Sequence, residues 1–237
     1  MLPVQREIRK LKNPLRAEVM QRFFKTGKGQ YGEGDVFLGL SVPQSRKIAR
    51  DFSDITLKEI QTLLNSEIHE ERLVALLILV QQFERGSEAL REKIYKFYLR
   101  NAKRVNNWDL VDTSAEWIVG GHLLYRDRDV LYKLAKSKNL WERRISIMST
   151  FHFIKNKESK DTVKIALLLM TDRHDLIHKA VGWMLREMGK RVDEKLLHQF
   201  IQAHGAKMPR TMLRYAIERL SAKDRQKYMK LGKVKPS

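Results

Sequence analysis

A related helical pattern recurs every 35 or 36 residues over most of this chain. Five segments align on one position, and the steps between them are 36, 36, 35 and 35 residues. The segments are EERLVALLIL, NWDLVDTSAE, ERRISIMSTF, IHKAVGWMLR and MLRYAIERL, aligned on Arg72, Trp108, Arg144, Lys179 and Arg214. Such a period is typical of stacked two-helix units, because each unit buries its apolar face only against its neighbours. The period therefore predicts an all-α, HEAT-like helical repeat solenoid.

Apolar residues follow helical spacing in nearly every other segment as well. The five prolines lie at the chain ends or where a helix would begin, which is where a helix tolerates them. No segment alternates strongly enough to be a strand, except for a short hairpin at the glycine-rich loop TGKGQYGEGD (26–35). We predict helices over residues 15–25, 43–52, 56–65, 69–84, 88–100, 108–119, 127–137, 141–154, 159–170, 175–188, 193–203, 209–220 and 222–230.

We expect these helices to form a single domain over residues 1–237. Within it, residues 1–55 hold the N-terminal helices and the loop 26–35, residues 56–220 hold the helix pairs, and residues 221–237 form a basic end. Any all-helical protein produces approximate periods, but four steps that agree within one residue favour a true repeat. The tryptophan-containing signature of TPR repeats is missing, so a HEAT-like array is the better interpretation.

The charge of the chain predicts a polyanionic partner. The 237 residues include 47 Lys and Arg against 28 Asp and Glu, which gives a net charge of +19 and a pI of about 10.1. This charge suits nucleic acid or an acidic membrane surface. The longest apolar run, residues 73–80, is far shorter than the roughly 20 residues of a membrane span. We therefore expect a cytoplasmic protein, associated with the nucleoid in a bacterium, that does not bind membranes.

The absence of cysteine excludes disulfides, thiol catalysis and Cys-ligated zinc. His174 and His178 are spaced as metal ligands on a helix, but HDLIH lacks the glutamate of H-E-x-x-H. Residues 27–32 match G-x-G-x-x-G without a preceding strand, which is a very weak nucleotide-binding signal. We expect neither a metal nor a cofactor.

Four of the five aligned residues are basic: Arg72, Arg144, Lys179 and Arg214. On one helix of each pair they would form a stripe along the concave surface of the solenoid, which suits a phosphate backbone. The C-terminal part adds further bases, although the residues from Lys230 onward are equally typical of a solubilising tail. These bases are Lys207, Arg210, Arg219, Lys223, Arg225, Lys227, Lys230, Lys233 and Lys235.

Two segments interrupt the basic stripe. Trp108 and Asp112 share one helix face, and Lys179, Trp183 and Arg186 share another. In repeat register, Asp112 and Trp183 occupy equivalent positions. A carboxylate on a phosphate-binding wall is unfavourable unless it meets a cation. Either these residues form a site, or the tryptophans are core residues and Asp112 caps a helix or pairs with an arginine.

Four segments carry a resemblance to a known family. FLGLSVPQSRK (37–47), NNWDLVD (106–112), NLWERR (139–144) and AVGWMLRE (180–187) occur in the order of the AlkD-type family of DNA glycosylases, and the likeness runs from about residue 13 to residue 219. The family has HEAT-like repeats and removes alkylated purines. The resemblance implies that Trp108, Asp112 and Trp183 form a catalytic cleft. It also implies that Arg144 and Arg186 hold the DNA backbone near the lesion.

The chemistry of alkylated purines fits these residue types. A purine alkylated at N3 or N7 is cationic, and loss of the base develops positive charge on the deoxyribose. A carboxylate stabilises that charge and positions water, while indole faces offer cation–π contacts. Most glycosylases flip the base into a pocket, whereas the resembled family is understood to act on the stacked lesion. The residues and the resemblance together predict a monomeric glycosylase that acts on duplex DNA without base flipping.

The loop 26–35 departs from the resembled pattern, which has a short, glycine-poor connection there. Relatives with an insertion near the N-terminus are thought to bind branched DNA without appreciable glycosylase activity. Lys28 and Tyr31 are candidate DNA contacts, and an ordinary turn is an equal alternative. A non-catalytic binder of branched or distorted DNA is therefore the second hypothesis. A protein-binding solenoid that meets an acidic partner is the third.

Overall fold

The computed structural model describes residues 1–232. Its helices fall into two compact units, of which the first is Met1–Ile118 and the second begins at Val119. Lys233 and Lys235 of the predicted basic end lie outside the described residues. The first unit contains α1 (Pro3–Lys10), α2 (Pro14–Phe23), α3 (Val42–Asp51), α4 (Leu57–Leu64), α5 (His69–Arg85), α6 (Glu88–Arg100), a 3₁₀ turn (Ala102–Arg104) and α7 (Trp108–Ala115).

A π-helical turn at Glu116–Gly120 contains the boundary between the two units, and the helices of the second unit come after it. These helices are α8 (Gly121–Leu123), α9 (Asp129–Ala135), α10 (Leu140–Lys155), α11 (Lys160–Leu168), α12 (Asp175–Arg191), α13 (Glu194–His204), α14 (Arg210–Ile217) and α15 (Ala222–Met229). Across residues 1–232, no helix combines the length and the apolar character needed to cross a bilayer.

One helix lies at the centre of each unit. In the first unit α5 packs against α3, α4, α6 and α7, and in the second α12 packs against α10, α11, α13 and α14. Every residue of α5 from His69 to Val80 is buried. This explains why residues 73–80 are apolar without a polar face, since a helix covered on all sides needs none.

Polar caps and prolines start the helices where the sequence predicts. Asn13 accepts a hydrogen bond from the Arg16 amide and is followed by Pro14 at the first helical position. Thr56 and Glu59 form a reciprocal capping box at α4, because each side chain binds the backbone amide of the other. Asn139 likewise accepts from two amides of α10. These local signals fix the helix boundaries.

The predicted all-α fold is confirmed, and each predicted helix is present within residues 1–232 with small shifts at its ends. The predicted helix 108–119 changes to a π-helical turn at Glu116. A short hairpin near residues 26–35 is not found in the described part of the chain, where these residues form turns and Val36 makes an isolated bridge to Ile68. The helix α1 was not predicted, because its eight residues offer only Val4 and Ile8 as a buried apolar face.

The repeat-aligned positions lie on helices that pack against one another within each unit. Arg72 lies on α5 and Trp108 on the adjoining α7. Arg144, Lys179 and Arg214 lie on α10, α12 and α14, and α12 packs against both of the others. The alternation of these helices with α9, α11 and α13 agrees with a helical repeat of paired helices.

Two glycines permit close approaches that a side chain would block. Gly39, in the FLG segment, has a φ of 89°, and a Cβ atom there would lie 2.2 Å from the carbonyl oxygen of Asn13. A Cβ atom on Gly182 would lie 2.4 Å from the carbonyl oxygen of Met212. Gly39 thus brings the FLG segment onto the start of α2, and Gly182 brings α12 close to α14.

Candidate active site

A cleft of about 510 Å³ in the first unit lies beside the start of α7. Its walls come from α2, from the segment that leads into α3, and from the first turns of α5 and α7. The lining residues are Arg16, Met20, Phe23, Phe24, Leu40, Ser41, Val42, His69, Glu70, Leu73, Trp108, Asp109, Asp112 and Thr113. Two of the three residues predicted as a catalytic cleft, Trp108 and Asp112, therefore line the same space.

Aromatic side chains form a stack behind Trp108. The Trp108 ring is stacked on Phe24 with 5.3 Å between the centroids and 13° between the planes. Phe24 is stacked in turn on Phe37 at 4.8 Å, and Phe23 meets Trp108 edge-on at 6.1 Å. Phe24 and Phe37 are buried, whereas Trp108 is half-buried. The stack holds the indole in place while part of it stays accessible from the cleft.

The N-terminal turn of α7 places the carboxylates. The side chain of Asn107 accepts a hydrogen bond from the Trp108 amide at 2.8 Å and caps the helix. Asp109 then lies in the first turn, where a negative charge is favoured by the helix dipole. Asp112 follows three residues later on the same face. Both carboxylates line the cleft with Trp108.

Asp112 also lies near a buried phenol. Burial raises the pKa of the Tyr98 hydroxyl, and the negative charge of Asp112 raises it further. The Tyr98 hydroxyl forms a 2.9 Å hydrogen bond with the hydroxyl of Ser114, which acts in the opposite direction. Asp112 is half-buried, so its carboxylate is accessible from the cleft but partly shielded from bulk water. That setting strengthens its interaction with a cation.

A buried histidine connects α7 with the glycine-rich loop. His69 is 1% exposed, and its Nε2 lies 2.8 Å from Oδ2 of Asp109. Its Nδ1 lies 3.1 Å from Oδ2 of Asp35, the last residue of the loop 26–35. Asp35 accepts further hydrogen bonds from Arg72 at 2.5 Å and from Asn107 at 3.0 Å. We call these five residues the Asp35–His69 network.

The charged neighbours within this network determine the protonation of His69 and Asp35. Burial alone would lower the pKa of His69, but Asp109 and Asp35 on its two sides raise the pKa to about 9. Burial would raise the pKa of Asp35, but hydrogen bonds from His69, Arg72 and Asn107 bring that pKa below its usual value. His69 is therefore an imidazolium at neutral pH and donates from both ring nitrogens.

The charged residues that begin α5 each hold a different part of the first unit. Glu70 is fully buried and accepts from the amides of residues 38, 39 and 40. Glu71 accepts from Gln5 and Arg9 of α1. Because three backbone amides bind Glu70, the FLG segment is held against the cleft.

The structure assigns Arg72 to this interior. The residue is 3% exposed, and its guanidinium binds Asp35 and the carbonyl oxygen of Ser66. The basic stripe of the repeat predicted that Arg72 contacts DNA phosphates. That expectation does not fit the structure. Asp35, the last residue of the loop 26–35, is buried and pairs with Arg72, so the guanidinium lies in the interior rather than at the surface.

Trp183 lies in the second unit, half-buried on α12. Its ring is tilted against Phe151, with 6.1 Å between the centroids. Burial would raise the pKa of Glu187, but hydrogen bonds from Arg191 and from Trp183 are among the interactions that lower it. The indole is thus oriented by a neighbouring aromatic ring and by a carboxylate one turn away.

Arg144 also differs from expectation. It is 4% exposed and donates to the carbonyl oxygen of Leu176 at 2.6 Å. This bond links α10 to the start of α12. An exposed phosphate clamp, as the resemblance implied, does not fit Arg144 in this structure, because its guanidinium is used within the helix packing.

The remaining basic residues of the prediction lie at or near the surface. Lys179 forms a 2.8 Å ion pair with Asp175, and its side chain is 40% exposed. Arg186 is paired with Glu218 and lies 3.7 Å from Glu187. Arg214 is exposed. Arg214 and Lys179 are therefore accessible to a phosphate, which at Lys179 would compete with Asp175. The Arg186 side chain is only 16% exposed, so Glu218 would have to move before a phosphate could reach it.

Lys28 is exposed in the loop 26–35. The loop is held by its own contacts, since the Gly29 amide donates to Glu33 at 2.8 Å and the Gly32 amide donates to the Lys25 carbonyl oxygen at 3.1 Å. The Tyr31 hydroxyl lies 3.4 Å from the Phe23 carbonyl oxygen. The loop therefore forms compact turns that end on the Asp35–His69 network.

His69, Asp35 and Asp109 were not predicted as site residues from the sequence. Asp109 lies within the NNWDLVD segment, but spacing alone did not separate it from a helix-capping residue. The run HEER before an apolar segment was the available signal for the others, because consecutive charged residues at the start of a buried helix require partners. Within residues 1–232, no cluster of three or more acidic or histidine side chains is arranged to hold a metal ion.

Comparison with known proteins identifies the family of the chain. The sequence model of the family described as "DNA alkylation repair enzyme" matches residues 4–220. The chain belongs to the DNA alkylation repair enzyme family. This membership supports an enzyme that acts in DNA repair, with DNA as its partner. No curated protein matches the sequence.

A solved structure has the same fold. It is described as a predicted DNA alkylation repair enzyme from Enterococcus faecalis and superposes with a TM-score of 0.68 at 18% sequence identity. The match covers 89% of this chain and 97% of the other. At this identity the likeness concerns the fold, and the chemistry of the site has to be argued from the residues present here.

Proposed function

We propose that the protein is a DNA glycosylase that hydrolyses the N-glycosidic bond of cationic N3- or N7-alkylated purines in duplex DNA. The observation that supports this most strongly is the cleft of the first unit. In a chain of this family, one face of α7 presents Trp108, Asp109 and Asp112 to a single cleft. An acidic, aromatic cleft in a protein of net charge +19 suits a cationic group carried on a polyanion.

Asp112 is the proposed catalytic carboxylate. The bond between the purine nitrogen and C1′ breaks, and its electron pair neutralises the cationic base as the base leaves. Positive charge then develops on the deoxyribose, and the carboxylate stabilises it. Water attacks C1′ while Asp112 orients it and accepts its proton. No general acid is needed, because the alkylated base departs as a neutral molecule.

Trp108 is the proposed aromatic wall of the cleft in the first unit, and Trp183 in the second unit is a further proposed aromatic contact to the DNA. The accessible part of the Trp108 indole offers a face to the cationic base or the sugar, and the stack with Phe24 keeps that face in position. Trp183 has a similar half-buried setting on α12. Action on the stacked lesion without base flipping remains part of this proposal.

Lys179, Arg186, Arg214 and Lys28 are the proposed contacts to DNA phosphates. Arg214 and Lys28 are exposed. Lys179 and Arg186 would exchange Asp175 and Glu218 for phosphate oxygens, which attract a guanidinium or ammonium group with comparable geometry. We omit Arg72 and Arg144 from this group because both are buried.

The second candidate function is binding of branched or distorted DNA without catalysis. The loop 26–35 favours it, because Lys28 lies on an exposed, compact turn whose last residue, Asp35, is anchored beneath the cleft. In this alternative the loop and the same basic surface would bind DNA, and Asp112 would have no chemical role.

The test is release of 7-methylguanine or 3-methyladenine from methylated duplex DNA. We expect the native protein to release base and Asp112→Asn to release it about 100-fold more slowly, as for loss of one electrostatic stabiliser. Asp54→Asn, at an exposed position outside the cleft, is the matched control and should keep full activity. If the native protein releases no base but binds branched DNA tightly, the second function replaces the first.

A further inference from the structure

Asp109 differs from an ordinary helix-capping acid in the setting of its two oxygens. Oδ2 lies 2.8 Å from Nε2 of His69. Oδ1 is buried and accepts no hydrogen bond from any residue within 1–232. A buried carboxylate oxygen without a donor is costly. Because Asp109 lines the cleft, a cation or a donor brought by a ligand would favour this carboxylate.

Hydrogen bonds and ring contacts hold the His69 imidazole that binds Asp109. His69 holds Oδ2 with one nitrogen and Asp35 with the other. Arg72 and Asn107 both donate to Asp35, and Asn107 also caps the helix that bears Asp109. The imidazole lies against Phe37 at 4.4 Å and Phe24 at 5.1 Å between ring centroids. Little rotation is left to the imidazole, so it fixes the position of the carboxylate.

The charges around His69 come from every side of this network. Asp35 faces it from the loop, Asp109 from α7 and Arg72 from its own helix α5. Glu70, Asp112 and Arg16 line the same cleft. The two carboxylates that contact the ring outweigh the one guanidinium near it. The imidazolium thus remains paired with Asp109 at neutral pH.

We propose that Asp109 is a second carboxylate for the cationic base or sugar, beside Asp112, and that His69 is the residue that positions it. This inference rests on the proposed glycosylase function. In it, Asp112 orients water and Asp109 adds negative charge beside the developing cation. His69 borders the cleft but is only 1% exposed, and in this proposal it acts through Asp109. The buried histidine is therefore a positioning residue rather than a catalytic one.

The test measures single-turnover release of 7-methylguanine at saturating protein for Asp109→Asn, His69→Gln and the double variant. Each single variant should slow release about tenfold or more, while the affinity for undamaged duplex changes less than about twofold. If His69 acts through Asp109, the double variant should be no slower than the slower single variant. Asp54→Asn and His198→Gln are the matched controls, and both should retain the native rate.

A second measurement separates this inference from the proposed function. Duplexes that contain a cationic pyrrolidine or a neutral tetrahydrofuran in place of one nucleotide are compared for binding. The native protein should prefer the pyrrolidine about tenfold, as one charge-assisted contact gives. Asp109→Asn and His69→Gln should each lose most of that preference. The melting temperatures of the variants show whether either has failed to fold.

The outcomes decide each claim. Normal release by Asp109→Asn overturns the role of Asp109, even if Asp112→Asn is inactive and the glycosylase function stands. Additive losses in the double variant overturn the positioning role of His69. A further outcome is that the native protein releases no base and yet prefers the pyrrolidine duplex, while Asp109→Asn and His69→Gln lose that preference. In that case the glycosylase function fails and the cation site stands. Equal binding of both duplexes without release rejects both.

Discussion

At the scale of single residues, the molecule separates two kinds of charged side chain. Arg72, Glu70 and Asp35 are buried and bind other parts of the chain. Asp109 and Asp112 reach the cleft from one face of α7. His69 joins the two kinds, since it touches Asp35 on the buried side and Asp109 on the cleft side. The protonation of His69 is therefore coupled both to folding and to the site.

Protonation of His69 should make stability depend on pH. Its folded-state pKa of about 9 exceeds its ordinary value of 6.5. The stabilisation is therefore fully present below about pH 6.5 and is lost as the pH rises through 9. The difference corresponds to about 3 kcal/mol. We expect the free energy of unfolding, measured by urea titration, to fall between pH 6.5 and 9.

His69→Gln is the variant that isolates this effect. It should be less stable than the native protein at pH 6.5, and its stability should change little between pH 6.5 and 9. His198→Gln, which alters a histidine near Tyr228 and Glu194 in the second unit, is the control and should keep the native slope. An unchanged slope in His69→Gln would contradict the assignment of the titration to this residue.

At the scale of helices, the sequence predicted the elements well and the site in part. Caps and prolines are local signals, so the start of α4 or α10 could be read from residues such as Thr56 and Asn139. The spacing of Trp108 and Asp112 correctly placed both on one face of α7. These features depend on residues that are close in the sequence.

The buried part of the site, which the sequence did not predict, depends on contacts between distant segments of the chain. The pairs Asp35–Arg72 and His69–Asp109 join residues 37 and 40 positions apart. A basic residue at a repeat position looks the same in a sequence whether it faces solvent or a buried carboxylate. For that reason, the periodicity placed Arg72 on the expected surface although the fold buries it.

The close packing of α12 against α14 depends on the absence of a side chain at Gly182. A Cβ atom on Gly182 would lie 2.4 Å from the Met212 carbonyl oxygen and 2.6 Å from the Tyr215 Cβ atom. Gly182→Ala should therefore push the helices apart and lower the free energy of unfolding by about 1–3 kcal/mol. Gly27→Ala, whose added Cβ atom meets only the flexible Gln30 side chain, should change stability by less than about 0.5 kcal/mol. Thermal unfolding of both variants measures the difference.

For the whole molecule, a net charge of +19 favours a polyanionic partner, and family membership supports DNA as that partner. At least three of the 47 basic residues are nevertheless used within the fold. Arg72 and Arg144 are buried, and Arg128 pairs with Glu158 and Asp161 at 2.7 Å. The charge that meets DNA must therefore come from exposed residues, of which Arg214 and Lys28 are predicted members.

The salt dependence of DNA affinity measures how many basic residues contact phosphates. The logarithm of DNA affinity should fall linearly with the logarithm of salt concentration, and Arg214→Ala should reduce the magnitude of the slope by about 1. Lys58→Ala, which removes an exposed lysine of α4, is the control and should leave the slope unchanged. Equal slopes for the native protein and Arg214→Ala would exclude Arg214 from the DNA contacts.

In the proposed function, the cleft beside α7 breaks the glycosidic bond of a cationic purine. The most direct measurement is the single-turnover rate of 7-methylguanine release from duplex DNA, for the native protein and Asp112→Asn at saturating protein. We predict a native rate well above spontaneous loss and a rate about 100-fold lower for Asp112→Asn, with both proteins equally folded. Equal rates for the two proteins, or a native rate no faster than spontaneous depurination, would contradict the proposed glycosylase function.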